Sequence, residues 1–118
     1  MQTYDTSRIT DEFMERERAT TREYSLVILT TTALTFSDEG RPIIWEHGRR
    51  NFALRADGVL AIVCPASDGG EIAGIGVFNA SVEETRSIME GDPAVQAGVL
   101  EFRIVPVRGF PGDGLPGD

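Results

Sequence analysis

Apolar positions along this chain recur with two different periods, and the switches between them mark its elements. Tyr24 to Leu29 (YSLVIL) is a β-branched and aliphatic run that predicts a first strand. The TTTALTFSDEG stretch after it is turn-like, and Pro42 then stands where a helix can begin, because a first-turn proline forfeits no intrahelical hydrogen bond. A first helix is expected from about Ile43 to Ala56, weakened by Gly48 and ended at Asp57-Gly58, where glycine suits a left-handed cap. Val59 to Cys64 (VLAIVC) is apolar throughout, which predicts a second strand buried on both faces and ended by Pro65. Ser67 to Gly70 (SDGG) is a hairpin signal into a third strand, Glu71 to Phe78, so strands two and three are expected as antiparallel neighbours. Ser81 followed by Glu84 is a capping box opening a second helix, with Val82, Thr85, Ile88 and Met89 on one face and Gly91 as its stop. Val99 to Val107 predicts a fourth strand, with Leu100, Phe102 and Ile104 alternating against Glu101 and Arg103.

The resulting order, β-α-β-β-α-β, is the split βαβ arrangement of ferredoxin-like α+β folds, an antiparallel four-stranded sheet with helices on one face. The other face also needs cover. In the third strand Ala73, Ile75 and Val77 alternate with Ile72, Gly74, Gly76 and Phe78, so neither side is polar. A second copy of the sheet is the natural cover, which predicts a homodimer in which two sheets face each other as a barrel.

Outside this domain, taken as 23–108, lie two segments of different composition. Residues 1–22 interleave acidic and arginine side chains with few apolar ones; Ile9 and Phe13 are one helical turn apart, and Thr10 or Asp11 can cap a short helix there. Residues 109–118 (GFPGDGLPGD) are too rich in Gly and Pro for regular structure and are expected to be mobile. The 118 residues allow one domain, with 41% hydrophobic and 25% charged residues, near globular norms.

Charge and residue counts then remove several chemistries. A net charge of −8 argues against nucleic acid and anionic membrane as partners, since phosphate binding depends on basic side chains. All 11 basic residues are arginine, so Schiff-base catalysis, a Walker-type phosphate loop and a lysine base are excluded. One histidine, His47, and one cysteine, Cys64, are too few for a structural zinc site, an iron–sulfur cluster or an intrachain disulfide; no metal or other cofactor is expected. The chain has no secretory signal and no stretch nearing the ~18 apolar residues of a membrane span, so a cytoplasmic location is expected.

The candidate chemistry rests on few side chains. His47 is the one group whose ordinary titration falls in the physiological range, so it is the candidate acid/base; the alternative is a histidine on a helix surface or at a dimer seam. Asp92 precedes Pro93, the usual start of a helical turn, so its carboxylate reads as a cap; with two oxygens it can also orient an imidazole. Cys64 reads as a buried packing residue or, less readily, a nucleophile. Arg49 and Arg50 are either solvated or a clamp for a carboxylate or phenolate. Trp45 is expected to anchor the core or an interface, Glu46 to lie on the surface, and Glu101 is given no role.

His47, Gly58, the VLAIVCP run ending at Pro65, the Ser81-Val-Glu-Glu block and Asp92-Pro-Ala-Val-Gln-Ala-Gly together resemble the YCII-related family of dimeric α+β barrel proteins, over about Tyr24 to Val107. The resemblance implies the barrel dimer and an active-site dyad at His47 and Asp92; Arg50, Cys64 and Pro65 are further expected about the substrate pocket. It also implies proton-transfer chemistry on small aromatic or unsaturated cyclic compounds, of isomerase, dehydrochlorinase (lyase) or cyclase type. Three positions depart from the family pattern: Cys64 replaces a glycine, and Gly48 and Asn51 stand where apolar residues are usual. The rival expectation is a non-catalytic ligand-binding or accessory protein using the same pocket.

Overall fold

The computed structural model describes residues 3–117. Its elements follow in the order α1 (Asp11–Ala19), β1 (Arg22–Thr31), α2 (Gly40–Ala56), β2 (Leu60–Pro65), β3 (Ile72–Phe78), α3 (Val82–Glu90), α4 (Pro93–Gln96) and β4 (Leu100–Gly109). The strands form one open antiparallel sheet in the order β2-β3-β1-β4, the expected ferredoxin-like α+β fold. Two compact units divide the chain, one of residues 24–107 and one formed by the segments before and after them.

In the larger unit β1 alternates, with Ser25, Val27 and Leu29 buried and Leu26, Ile28 and Thr30 half-buried. Its register with β3 sets Val27 against Gly76 and Leu29 against Gly74 on the buried side, and Leu26 against Val77 and Ile28 against Ile75 on the other. The core therefore lies on one face of the sheet. Val27, Leu29, Leu60, Phe78 and Leu100 meet Met89 of α3 and Ala94 of α4 there, with Ile44 and Leu54 of α2 packed against them. Each large apolar side chain removed from water in this way contributes about 1.5–3 kcal/mol.

Local chemistry explains where the elements stop and start. The Ser81 hydroxyl accepts from the Glu84 amide at 3.1 Å, and the Glu84 carboxylate accepts from the Ser81 amide at 3.3 Å, so the capping box forms as its spacing predicts. Gly58 and Gly98 take positive φ values of 76° and 72°, which turn the chain out of α2 and α4 into the strands that follow.

Three expectations need correction. The first helix begins at Gly40, three residues early, because the Ser37 hydroxyl accepts from the Gly40 amide at 3.0 Å and a Cβ at that glycine would run into the Leu34 carbonyl oxygen. β2 is not buried on both faces: it is an edge strand, and only Leu60 is fully buried, the apolar run serving a covered face and an open one in turn. Trp45 is 71% exposed, so of the two places expected for it, the core or an interface, the core is excluded.

Thr85 presents a testable defect. It is fully buried on α3, and its hydroxyl has no hydrogen-bond partner. Thr85→Val keeps the shape and removes the unpaired group, so thermal melting should report stabilisation by about 1 kcal/mol; an unchanged or lower midpoint would contradict the packing described.

In the smaller unit, α1 is capped by the Thr10 hydroxyl, which accepts from the Phe13 amide at 3.1 Å, and none of its residues is buried. Arg108 donates to the Thr21 hydroxyl and to the Thr21 carbonyl, each at 2.9 Å. No helix among the described residues is long and apolar enough to cross a membrane.

Candidate active site

Two short structural devices bring one side chain from α2 against one from the α3–α4 corner. The first is the loop before α2. Thr32 and Thr35 donate their hydroxyls to the Gly98 and Val99 carbonyls, each at 2.7 Å, tying the approach to α2 onto the approach to β4. The second is the corner itself, where Gly91 ends α3 and Pro93 opens α4, leaving Asp92 between two helices. Oδ1 of Asp92 accepts from the Ala94 amide at 2.8 Å and more weakly from the Val95 amide at 3.4 Å.

The second oxygen of the same carboxylate, Oδ2, lies 2.7 Å from Nδ1 of His47. Both side chains are buried, Asp92 to 1% exposure and His47 to 8%. Capping and imidazole orientation thus coexist on one group, as the acceptor count of a carboxylate permits. Burial acts to raise the Asp92 carboxyl, and is outweighed: the hydrogen bond from His47, the charge His47 can carry, and the Ala94 and Val95 amides hold it below the usual carboxylate value. An ionised carboxylate only accepts, so Nδ1 carries the proton in the neutral ring and Nε2 is the unprotonated nitrogen.

His47 lines a cleft of about 440 Å³ between α2 and the sheet, with Nε2 on the side of its ring away from Asp92. Leu29, Ile44, Val63, Ala73 and Leu100 make it chiefly apolar, and the residues from Cys64 to Ser67, together with Gly69 and Gly70, form its rim at the β2–β3 hairpin. Gly74 also lines it: a Cβ there would come within 2.9 Å of the Cys64 carbonyl oxygen, so glycine lets the two strands approach this closely.

Among the residues expected at the site, His47, Cys64 and Pro65 all line the cleft, and Asp92 stands behind the imidazole. Arg50, read as either solvated or a clamp, stands outside the cleft lining. Its Nη1 lies 3.8 Å from Asp92 Oδ2, an ion-pair distance, and is buried without a hydrogen bond. Arg49 pairs with Glu46 at 3.1 Å, both exposed, and Glu101 is exposed on β4. No group of three His, Cys, Asp or Glu side chains among the described residues could hold a metal ion.

One polar residue at the site was not expected there. Asn51, one helical turn after His47, places its Nδ2 3.2 Å from His47 Nε2 and lines the cleft. The i, i+4 spacing from the single histidine was the available signal, since such pairs share a helix face.

Fold and site together define an α+β sheet protein in which a carboxylate-held imidazole opens onto an apolar cleft. No family model matches the chain, and no curated protein matches it either.

Proposed function

We propose that this chain is a cofactor-independent enzyme of the YCII-related kind, working as a cytoplasmic homodimer. His47 moves a proton on a small aromatic or unsaturated cyclic compound in an isomerase, lyase (dehydrochlorinase) or cyclase reaction. The observation that carries this reading is the buried 2.7 Å contact of His47 with Asp92, in a ring that lines an apolar cleft. An imidazole held in one tautomer, with its unprotonated nitrogen at an apolar cleft, is equipped as a general base, and the imidazolium it becomes faces a carboxylate. Proton exchange tests it: wild-type protein should wash deuterium from heavy water into the α-positions of cyclic enones and cyclic ketones, and His47→Ala should not. Binding of these compounds by wild type with no exchange would make the chain a binding module instead.

The dimer rests on the open face of the sheet, where Leu26, Ile28, Ile62 and Val77 remain half-buried in a single chain. Sedimentation at micromolar concentration should give twice the chain mass of 12.9 kDa. Leu26→Glu, which places a charge amid that face, should give the single-chain mass with the fold intact; a monomeric wild type would end the dimer proposal.

A further inference from the structure

Asn51 has hydrogen-bonding capacity that no other described residue uses. Its single hydrogen bond among the described residues runs from Nδ2 to His47 Nε2 at 3.2 Å, leaving a second N–H and the side-chain carbonyl without protein partners at the wall of an apolar cleft. The bond it does make covers the lone pair that the proposed chemistry requires. A base whose lone pair is already occupied takes no proton until the donor moves away, and in a cleft this apolar the donor needs another acceptor to move to.

We propose that Asn51 binds a carbonyl or phenolate oxygen of the substrate, exchanging its contact with His47 Nε2 for that oxygen and so freeing the base only when a suitable ligand is bound. This rests on the reading of His47 as a base and narrows the substrate class. The ligand carries an oxygen acceptor two bonds from the carbon that loses its hydrogen, the arrangement of a carbonyl compound with an α-hydrogen. Nε2 and Nδ2 project from adjacent turns of one helix, so acceptor and donor stand side by side as that arrangement demands.

The step balances without any further reactant. The α C–H bond breaks and its proton goes to Nε2. The C–H electron pair becomes the new C=C bond, and the carbonyl π pair moves onto the oxygen, whose growing charge faces the Asn51 N–H. The imidazolium formed is neutralised by Asp92. Return of the proton to another carbon of the conjugated system gives an isomer, and loss of an anion from the β-carbon gives an elimination product.

The test uses the intact protein and two probes of one shape: 4-nitrophenolate, whose oxygen imitates an enolate, and nitrobenzene, which lacks that oxygen. Asn51→Leu should weaken 4-nitrophenolate binding about tenfold or more and leave nitrobenzene within about twofold, the effect of one hydrogen bond to a charged acceptor. Asn51→Asp, which keeps the shape and loses both N–H donors, should lose the phenolate as well, and a cooperative melt in each variant certifies its fold. Equal phenolate affinity in wild type and either variant, or no phenolate binding by wild type, overturns the proposal. The two readings fail separately. Loss of α-proton exchange in His47→Ala with unchanged phenolate binding in Asn51→Leu keeps the base and removes the oxygen site. Full exchange in His47→Ala with weakened binding in Asn51→Leu keeps the oxygen site and moves the base elsewhere.

Discussion

Replacing His47 by alanine is expected to lower turnover by roughly 10²–10⁴-fold, the usual worth of a positioned general base. The chain has no lysine and no other histidine to take over the proton, and Asp92 stands behind the imidazole rather than among the residues that line the cleft. Alanine also strands a buried carboxylate, left with the Ala94 and Val95 amides and the more distant Arg50. His47→Gln is therefore the paired variant, because its amide can still donate to Asp92 while offering no base. Steady-state kinetics on both should find equal loss, with the glutamine variant the more stable; activity retained in the glutamine variant would remove His47 from the chemistry.

Asp92 gives the second large effect, and two substitutions separate its roles. Asn at 92 keeps an oxygen for the Ala94 amide but turns an N–H₂ group towards Nδ1, which then accepts, so the proton shifts to Nε2 and the base is lost. Turnover should fall on the order of 10³–10⁴-fold with the helical corner intact. Ala at 92 removes the cap as well, about 1–2 kcal/mol, and takes away the anion beside both His47 and the Arg50 guanidinium, so melting should report a total of roughly 3–5 kcal/mol. The pH dependence has a defined sign. The Asp92 carboxyl titrates lower in the folded than in the unfolded chain, so its stabilising contribution is complete above the unfolded value near ~3.9 and is lost as pH falls through the lower folded one. The stability gap between wild type and Asp92→Asn should hold from neutral pH to about 5 and close below about 4. A gap independent of pH would mean that Asp92 is not held ionised by its neighbours.

Much of this was legible in the residues because it is local. Ser81 with Glu84, Asp57-Gly58, and Asp92-Pro93 each settle a helix end through hydrogen bonds spanning only a few positions, and these ends appear where their chemistry puts them. The chain order of strands and helices followed from the switches of apolar period, and the turn at Ser67–Gly70 made β2 and β3 neighbours. What the residues hid depends on distant partners. VLAIVC reads as a strand covered on both faces because an edge strand facing a core on one side and an open apolar surface on the other has the same composition. The early start of α2 depends on Ser37 and Leu34, in a stretch without periodicity. The exposure of Trp45 contradicts the usual behaviour of its side chain, and nothing within α2 announces it. Asn51 looked like a misplaced polar residue until the helix set it beside Nε2.

The protonation pattern of the imidazole is the most direct test, and a single histidine makes it readable in one nitrogen-15 spectrum at neutral to mildly basic pH. The account predicts a protonated Nδ1 and a bare Nε2, with the Nδ1 proton coupled to the Asp92 carboxylate. A ring protonated at Nε2, with Nδ1 bare, would mean that the cleft faces a donor, and no base would stand where this chemistry needs one.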